Sequence, residues 1–236
     1  MMLLADEIIT ELKKQGADFV HFVDISHLPP EKNKHFPVAI IFGITLSPEY
    51  LLKITNTPEY VEKMVRNNET GQDEFHLTEL KTDGMADQLA DFIKGKGFGA
   101  YSQSEKNIDK TGFYDKKANR TPLPHKTIAL LAGLGWIGKH NLLVTLEYGS
   151  AISMCTVLTD APLKTESHTP QNPKCGSCRV CVDKCPVKAL KGKSWDYSVS
   201  RDEIVDVYSC TTCTECLVFC PFTQNYMMNN LNGKSV

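Results

Sequence analysis

Three observations predict an α+β fold in two consecutive domains. Amphipathic helical stripes alternate with short apolar or β-branched runs over the first 110 residues. A proline-rich polar stretch, residues 162–173, ends that alternation. Eight of the chain's nine cysteines lie beyond it. The boundary therefore falls between an α/β domain, residues 1–165, and a small cysteine-rich domain, residues 166–236.

The elements of the first domain follow in order. Leu4, Ile8, Ile9 and Leu12 form one helical stripe that stops at Gly16. Residues 19–25 are rich in β-branched and aromatic side chains and read as a strand. Residues 38–45 are apolar at nearly every position, as in a central strand buried on both faces. Residues 49–67 read as helix broken at Pro58, and Leu77, Leu80, Met85, Leu89, Phe92 and Ile93 as a longer helix closing at Gly95 and Gly97. A short strand follows at 98–102. Residues 104–120 are polar and lysine-rich, the composition of an exposed loop or lid. An apolar helix at 127–132 leads into Gly133-Leu-Gly-Trp-Ile-Gly-Lys139. Strand-like runs at 141–146 and 150–159 are joined by Glu147-Tyr148-Gly149, a hairpin signal with glycine in the turn.

Bulk properties exclude several classes. A 236-residue chain with 42% apolar and 23% charged residues is an ordinary globular composition. The longest apolar run, residues 38–46, is under half of the roughly 20 residues a membrane span needs. Leu3 and Leu4 are followed by Asp6 and Glu7, which is wrong for a secretory signal. A cytoplasmic protein without membrane contact is expected. The net charge is −2, and residues 173–236 hold eight basic and six acidic side chains. That balance argues against non-specific nucleic-acid binding.

The cysteines carry the chemistry. Cys175, Cys178, Cys181 and Cys185 precede Pro186, and Cys210, Cys213, Cys216 and Cys220 precede Pro221. Both runs read C-x-x-C-x-x-C-x-x-x-C-P, the pattern of two-cluster bacterial ferredoxins, where each fourth cysteine serves the other run's cluster. Two 4Fe–4S clusters are predicted, one on Cys175, Cys178, Cys181 and Cys220 and one on Cys210, Cys213, Cys216 and Cys185. The three-residue gap is expected to lead into a short helix at 187–190. Zinc also uses paired C-x-x-C, but needs neither the extra cysteines nor the prolines. Disulfides need an oxidising compartment. Trp195 and Tyr197, between the runs, are expected to shield the clusters from water.

Gly133, Gly135 and Gly138 match G-x-G-x-x-G. A dinucleotide site would require a strand before the motif and a helix after it, and the predicted order is the reverse. Two readings remain: a turn that serves helix–strand packing, or a backbone surface open to a bulky cofactor because no Cβ intervenes.

From Ala132 through Lys139, His140 and Leu143, then Glu147-Tyr-Gly149 and Leu158-Thr-Asp-Ala-Pro-Leu163, the chain resembles the cobalamin-binding region of epoxyqueuosine reductases. It is similar, more distantly, to reductive dehalogenases. In both families two 4Fe–4S cysteine runs follow, as they do here. The resemblance implies a mixed β-sheet flanked by helices, a nitroreductase-like cobalamin-binding scaffold, joined to a ferredoxin-like double-cluster module. It implies cobalamin near Gly133, Gly135, Trp136, Gly138, Lys139 and His140. The implied function passes electrons through both clusters to the corrinoid, reducing a small organic substrate. An external donor such as a reduced ferredoxin or flavodoxin is implied, and a homodimer suits the scaffold. Two features depart from the family. Asn119 stands where those reductases carry a proton-donating aspartate, leaving Asp115 and His125 as candidates for proton transfer. The family also continues into a helical-repeat region that helps hold tRNA, so tRNA is not expected as a partner of this short form.

Two rival functions remain from the sequence. One is an electron carrier or corrinoid reductive activator, acting on a partner protein rather than on a substrate of its own. The other is the same scaffold holding flavin in place of cobalamin. Cys155, mid-strand among apolar residues, reads as a small hydrophobe.

Overall fold

The computed structural model describes residues 3–166 and 168–232. They form an α+β protein whose contacts divide into two compact units. The division does not follow the predicted boundary at 165. One unit combines the stretch ending at Ile44 with Thr78–Gly133 and Ser153–Thr169; the other combines Thr45–Leu77, Leu134–Ile152 and the chain from Pro170 onward. The chain thus crosses between the units several times, because segments far apart in sequence share apolar faces.

In the first unit, α1 (Leu4–Lys14), β1 (Phe19–Asp24), β2 (Val38–Thr45), α5 (Glu74–Gly95), β3 (Ala100–Ser102) and β6 (Ile152–Thr159) build the core. A short helix, α2 (Pro30–Asn33), links β1 to β2. The sheet order is β1-β2-β6-β3, with β1 antiparallel to β2 and β3 antiparallel to β6. The expected mixed sheet is thus a small, largely antiparallel one. Parallel pairing is seen at an isolated bridge, Val23 to Glu166, where the proline-rich stretch adds to the β1 edge. Ile8 and Leu12 of α1, Ile40 and Phe42 of β2, Met85, Leu89 and Ile93 of α5, and Cys155 and Val157 of β6 pack as one cluster. Leu77 and Leu80, which fit the helical stripe of α5, are 49% and 57% exposed. The 104–120 segment is not a plain loop. It begins with α6 (Glu105–Lys110), capped by the Ser104 side chain, and closes on an Asp115–Arg120 bridge.

In the second unit, α3 (Pro48–Asn56) and α4 (Tyr60–Arg66) are separate helices, as Pro58 predicts. Leu51 and Ile54 of α3 pack with Leu217 and Val218 of α9 (Glu215–Val218) and Met227 of α10 (Pro221–Asn232). That apolar face ties α3 to the cysteine-rich segment. The hairpin also differs from expectation. Its strands are β4 (Trp136–Ile137) and β5 (Leu143–Val144), with Trp136 opposite Val144, while Glu147-Tyr148-Gly149 lies within a separate turn closed by the Thr145–Gly149 bridge. Residues 187–190 form a turn and a bridge from Leu190 to Val205, not a helix. The short helix α8 (Val180–Lys184) precedes the fourth cysteine of that run. Among the described residues no helix is long and apolar enough to cross a membrane.

Gly43 shows how tightly the sheet is fitted. Phe19 lies opposite it on β1, and a Cβ at Gly43 would stand 2.5 Å from the Phe19 ring and 2.7 Å from the Ser153 carbonyl oxygen. Because that oxygen is backbone and cannot swing away, Gly43→Ala should lower stability by about 1–3 kcal/mol. Urea unfolding midpoints of the two proteins, with unchanged m, measure this.

Candidate cysteine-lined functional site

Helix ends and tight turns bring the cysteines together. In the first run, Gly176 at φ 49° turns the loop and the Cys178 N–H donates to the Cys175 carbonyl at 2.9 Å. Cys181 then sits inside α8. In the second run, Thr212 and Thr214 adopt positive φ of 53° and 64°, and Cys216 sits inside α9. Cys220 immediately precedes α10. Pro221 opens that helix at a position where no N–H is needed. The N–H groups of Phe222 and Thr223 donate to the Cys220 sulfur and favour its thiolate, against the burial that raises its pKa.

The fourth cysteine of the second run, Cys220, lies with the first three of the first run, and Cys185 packs in one cluster with Cys181 and Cys216. Cys175, Cys178, Cys181 and Cys220 line one cavity of about 130 Å³, with Lys139, His140, Lys174, Pro221 and Phe222. Burial and the neighbouring thiols of Cys220, Cys175 and Cys178 push the Cys181 pKa up to about 11. Cys216 is pushed up to about 12 by burial and by Cys213, Cys210, Cys181 and Cys185. Cys181, Cys185 and Cys216 belong to one packed cluster, so the two sets adjoin. Cys181, Cys185 and Cys220 are 7–8% exposed, whereas Cys210 is exposed.

Four thiols around one cavity suit a polynuclear cluster. Among the described residues no three His, Cys, Asp or Glu side chains converge as they would on a single ion. A second observation agrees. Trp136 is fully buried, packs with Val144, Cys220 and Phe222, and has an Nε1–H with no partner among the described residues. A sulfur acceptor beside Cys220 is the kind of group that would satisfy this donor.

The residues expected to hold cobalamin have other partners. A Cβ at Gly135 would lie 1.9 Å from the Val144 carbonyl oxygen, so glycine there permits the β4–β5 hairpin to close. At Gly138 a Cβ would meet the His140 ring at 2.6 Å, and at Gly133, with φ +71°, the His168 ring at 2.9 Å. Trp136 meets Phe222 edge-on with ring centroids 4.9 Å apart. Lys139 is 8% exposed and its Nζ donates to the carbonyls of Gly176 at 2.7 Å and Cys178 at 3.0 Å, clamping the first cysteine loop. His140 Nδ1 accepts from the Leu142 N–H at 3.1 Å, and its Nε2 lies 3.3 Å from the Ser150 hydroxyl. Gly135, Trp136, Gly138, Lys139 and His140 lie in the segment of the β4–β5 hairpin. They build the hairpin, and Lys139 and His140 line the thiol cavity. Lys174 and Phe222 complete that wall and were not singled out by sequence; being the neighbours of Cys175 and Pro221 was their signal.

The proton-transfer candidates are placed elsewhere. His125 opens α7 (His125–Leu131), where its Nδ1 is 2.9 Å from the Thr156 hydroxyl, and burial lowers its pKa to about 4. It is neutral at pH 7. Asp115 is exposed and its Oδ1 accepts from the N–H groups of Lys117 and Ala118 at 3.0 Å each, a turn-forming role. Asn119 takes φ 46°, a conformation asparagine tolerates, and accepts from the Tyr114 hydroxyl at 3.1 Å. Cys155 is fully buried, with its thiol pKa raised well above the ordinary value by burial and by Asp83. Trp195 and Tyr197 meet at a tilt, with ring centroids 5.2 Å apart; Trp195 is half-buried and Tyr197 is 74% exposed.

With this geometry in view, the comparisons place the chain. No protein-family model matches it. An epoxyqueuosine reductase of Listeria monocytogenes is 33% identical over 116 residues, covering 42% of this chain and 29% of the relative. A solved epoxyqueuosine reductase in complex with an epoxyqueuosine-modified tRNA-Tyr stem loop aligns with 94% of this chain and 66% of that one, at 15% identity and TM-score 0.56. A catabolic reductive dehalogenase aligns with 98% of this chain and 34% of its own, at 18% identity and TM-score 0.66. The match thus spans less than a third of that curated relative's length. The fold is one shared by epoxyqueuosine reductases and reductive dehalogenases. Within that class, the partial sequence match is to the first, which the Listeria relative resembles over 42% of this chain.

Two outcomes are expected. Gly135→Ala drives a methyl into the Val144 carbonyl and should open the hairpin, seen as a lower unfolding midpoint and loss of iron binding on reconstitution. His125 prefers its neutral form in the fold, so its contribution to stability is full above pH ~6.5 and is lost as pH falls toward ~4. Replacing it with Gln should flatten the wild-type fall in stability across that interval, measured by urea midpoints at each pH.

Proposed function

We propose that the chain is an iron–sulfur oxidoreductase that holds two 4Fe–4S clusters and delivers single electrons to a corrinoid, for reduction of a small organic substrate. The observation that carries the proposal is that Cys220 lines one cavity with Cys175, Cys178 and Cys181, as ligand sharing between two clusters of a ferredoxin-like module would require. Cys175, Cys178, Cys181 and Cys220 would hold one, and Cys210, Cys213, Cys216 and Cys185 the other. Clusters bound there supply one-electron reduction at potentials set by hydrogen bonds, charge and solvent exposure. The chain's own part is to keep water from Cys181, Cys185 and Cys220, to clamp the first loop with Lys139, and to orient the Cys220 sulfur with the α10 amides. The corrinoid as acceptor rests on kinship with the epoxyqueuosine reductases. A reduced ferredoxin or flavodoxin is the fitting class of donor.

A second reading has a specific observation in its favour. His125 is neutral at pH 7, Asp115 is spent in a turn, and Asn119 carries no acidic proton. A protein that only passes electrons, including a reductive activator of a partner's corrinoid, needs no proton donor. Anaerobic reconstitution with iron, sulfide and cobalamin tests the first reading. About eight irons per chain and a corrinoid absorption band are expected; about four irons or none would defeat it. Turnover of an epoxide with an artificial reductant and no partner protein would exclude the carrier.

A further inference from the structure

The two thiol sets sit in opposite electrostatic surroundings. The cavity of Cys175, Cys178, Cys181 and Cys220 is lined by Lys139, His140 and Lys174, with no carboxylate among its described lining residues. The Lys139 ammonium is buried and held by two carbonyl oxygens, which orient its charge without neutralising it. Lys174 is exposed, with its Nζ 5.2 Å from the Trp136 ring centroid, and its charge is more strongly screened. Around the other set the sign reverses. Glu62 and Glu215 both act on Cys213. Glu215 is the chain neighbour of Cys216, and Glu62 has a buried Oε2 with no hydrogen-bond partner among the described residues. Lys184 opposes them, but it is exposed and lies over the Phe219 ring at 4.1 Å.

A fixed positive charge beside a redox group favours its reduced, more negative form, and a carboxylate disfavours it. Taking the two-cluster proposal as premise, we infer that Lys139 makes the site of Cys175, Cys178, Cys181 and Cys220 the electron-accepting end of the pair. Its midpoint potential lies above that of the site of Cys185, Cys210, Cys213 and Cys216. The lower-potential site is also the one with an exposed thiol, Cys210, so it faces a donor. A one-electron reductant of the ferredoxin or flavodoxin class supplies the electron and is itself oxidised by one electron. No bond forms or breaks and no proton must follow. Lys139 acts here as a positioning residue, through charge and through the loop it holds.

The test is potentiometric titration, followed by electron paramagnetic resonance, of the anaerobically reconstituted full chain. The wild type is expected to show two midpoints. In Lys139→Gln the higher should fall and the lower stay, a change of at least about tenfold in how the electron divides between sites, or about 59 mV. Lys139→Arg, which keeps the charge, should retain the wild-type value. A Lys139→Gln protein that holds about eight irons with both midpoints unmoved, or with only the lower one shifted, would overturn the inference. Should that variant lose iron, Glu62→Gln decides: the lower midpoint rises if the inference is right, and an unmoved lower midpoint refutes it. A wild type holding about four irons fails differently, since it removes the two-cluster premise itself.

Discussion

The second unit depends on the mutual repulsion of thiolates confined together. Burial alone raises the pKa of Cys216, and three or four neighbouring sulfurs raise it further, to about 12. Cys181, Cys213, Cys216 and Cys220, whose pKa values burial raises, are held toward the thiol unless positive charge sits among them. Iron supplies it in the proposed state. The polypeptide contributes on a smaller scale, through the α10 amides on Cys220 and the Lys139 ammonium behind the first loop. The proteins's cysteine-rich part is thus arranged around charge that must be brought in, and its packing cannot be understood from apolar contacts alone. Loss of iron should therefore be felt as far as the Trp136 cluster, which includes Cys220 itself.

The glycine segment acquires its meaning from the same site. A carbonyl of β5 occupies the volume that a Gly135 side chain would need, and this lets Trp136 pack against Phe222 just after Cys220. Lys139 then emerges at the level of the Gly176 and Cys178 carbonyls. The segment that carries the glycine motif also braces the first cysteine loop. Close backbone approach is what glycine permits in either case; here the approaching group is the chain's own carbonyl rather than a ligand.

Much of this was legible in the sequence, for identifiable reasons. The strand at Val38–Thr45 and the break at Pro58 follow from local rules, an unbroken apolar run and a residue that cannot continue a helix. The cysteine sets followed from spacing, because cluster geometry leaves few ways to place four sulfurs. What failed was non-local. The hairpin was assigned to 141–159 because Tyr148-Gly149 looks like a turn, but the pairing is decided by which strand Trp136 can meet. The compact units depart from a linear boundary because the apolar face of α3 packs with α9 and α10, some 160 residues away in sequence, a partnership no linear composition encodes. Lys174 offered only its place beside Cys175; a lysine before a cysteine acquires a role only when the loop folds.

Whether such a chain performs chemistry or merely conducts depends on protons as much as on electrons. Reduction of an epoxide or a carbon–halogen bond ends with a proton on carbon or oxygen, and a suitable acid must be protonated at working pH. His125 has surrendered its proton to burial, and the carboxylate of Asp115 is engaged by two backbone amides. Asp83 differs. Burial raises its pKa, and it accepts from the Cys155 thiol at 3.6 Å and from the Glu105 N–H at 2.9 Å. Among the described carboxyl groups of the first unit, burial holds that of Asp83 toward the protonated form. Asp83→Asn, which keeps both shape and polarity, tests whether this carboxyl supplies a proton: normal cluster reduction with lost turnover is expected if it does, and no change in either if the protein only conducts.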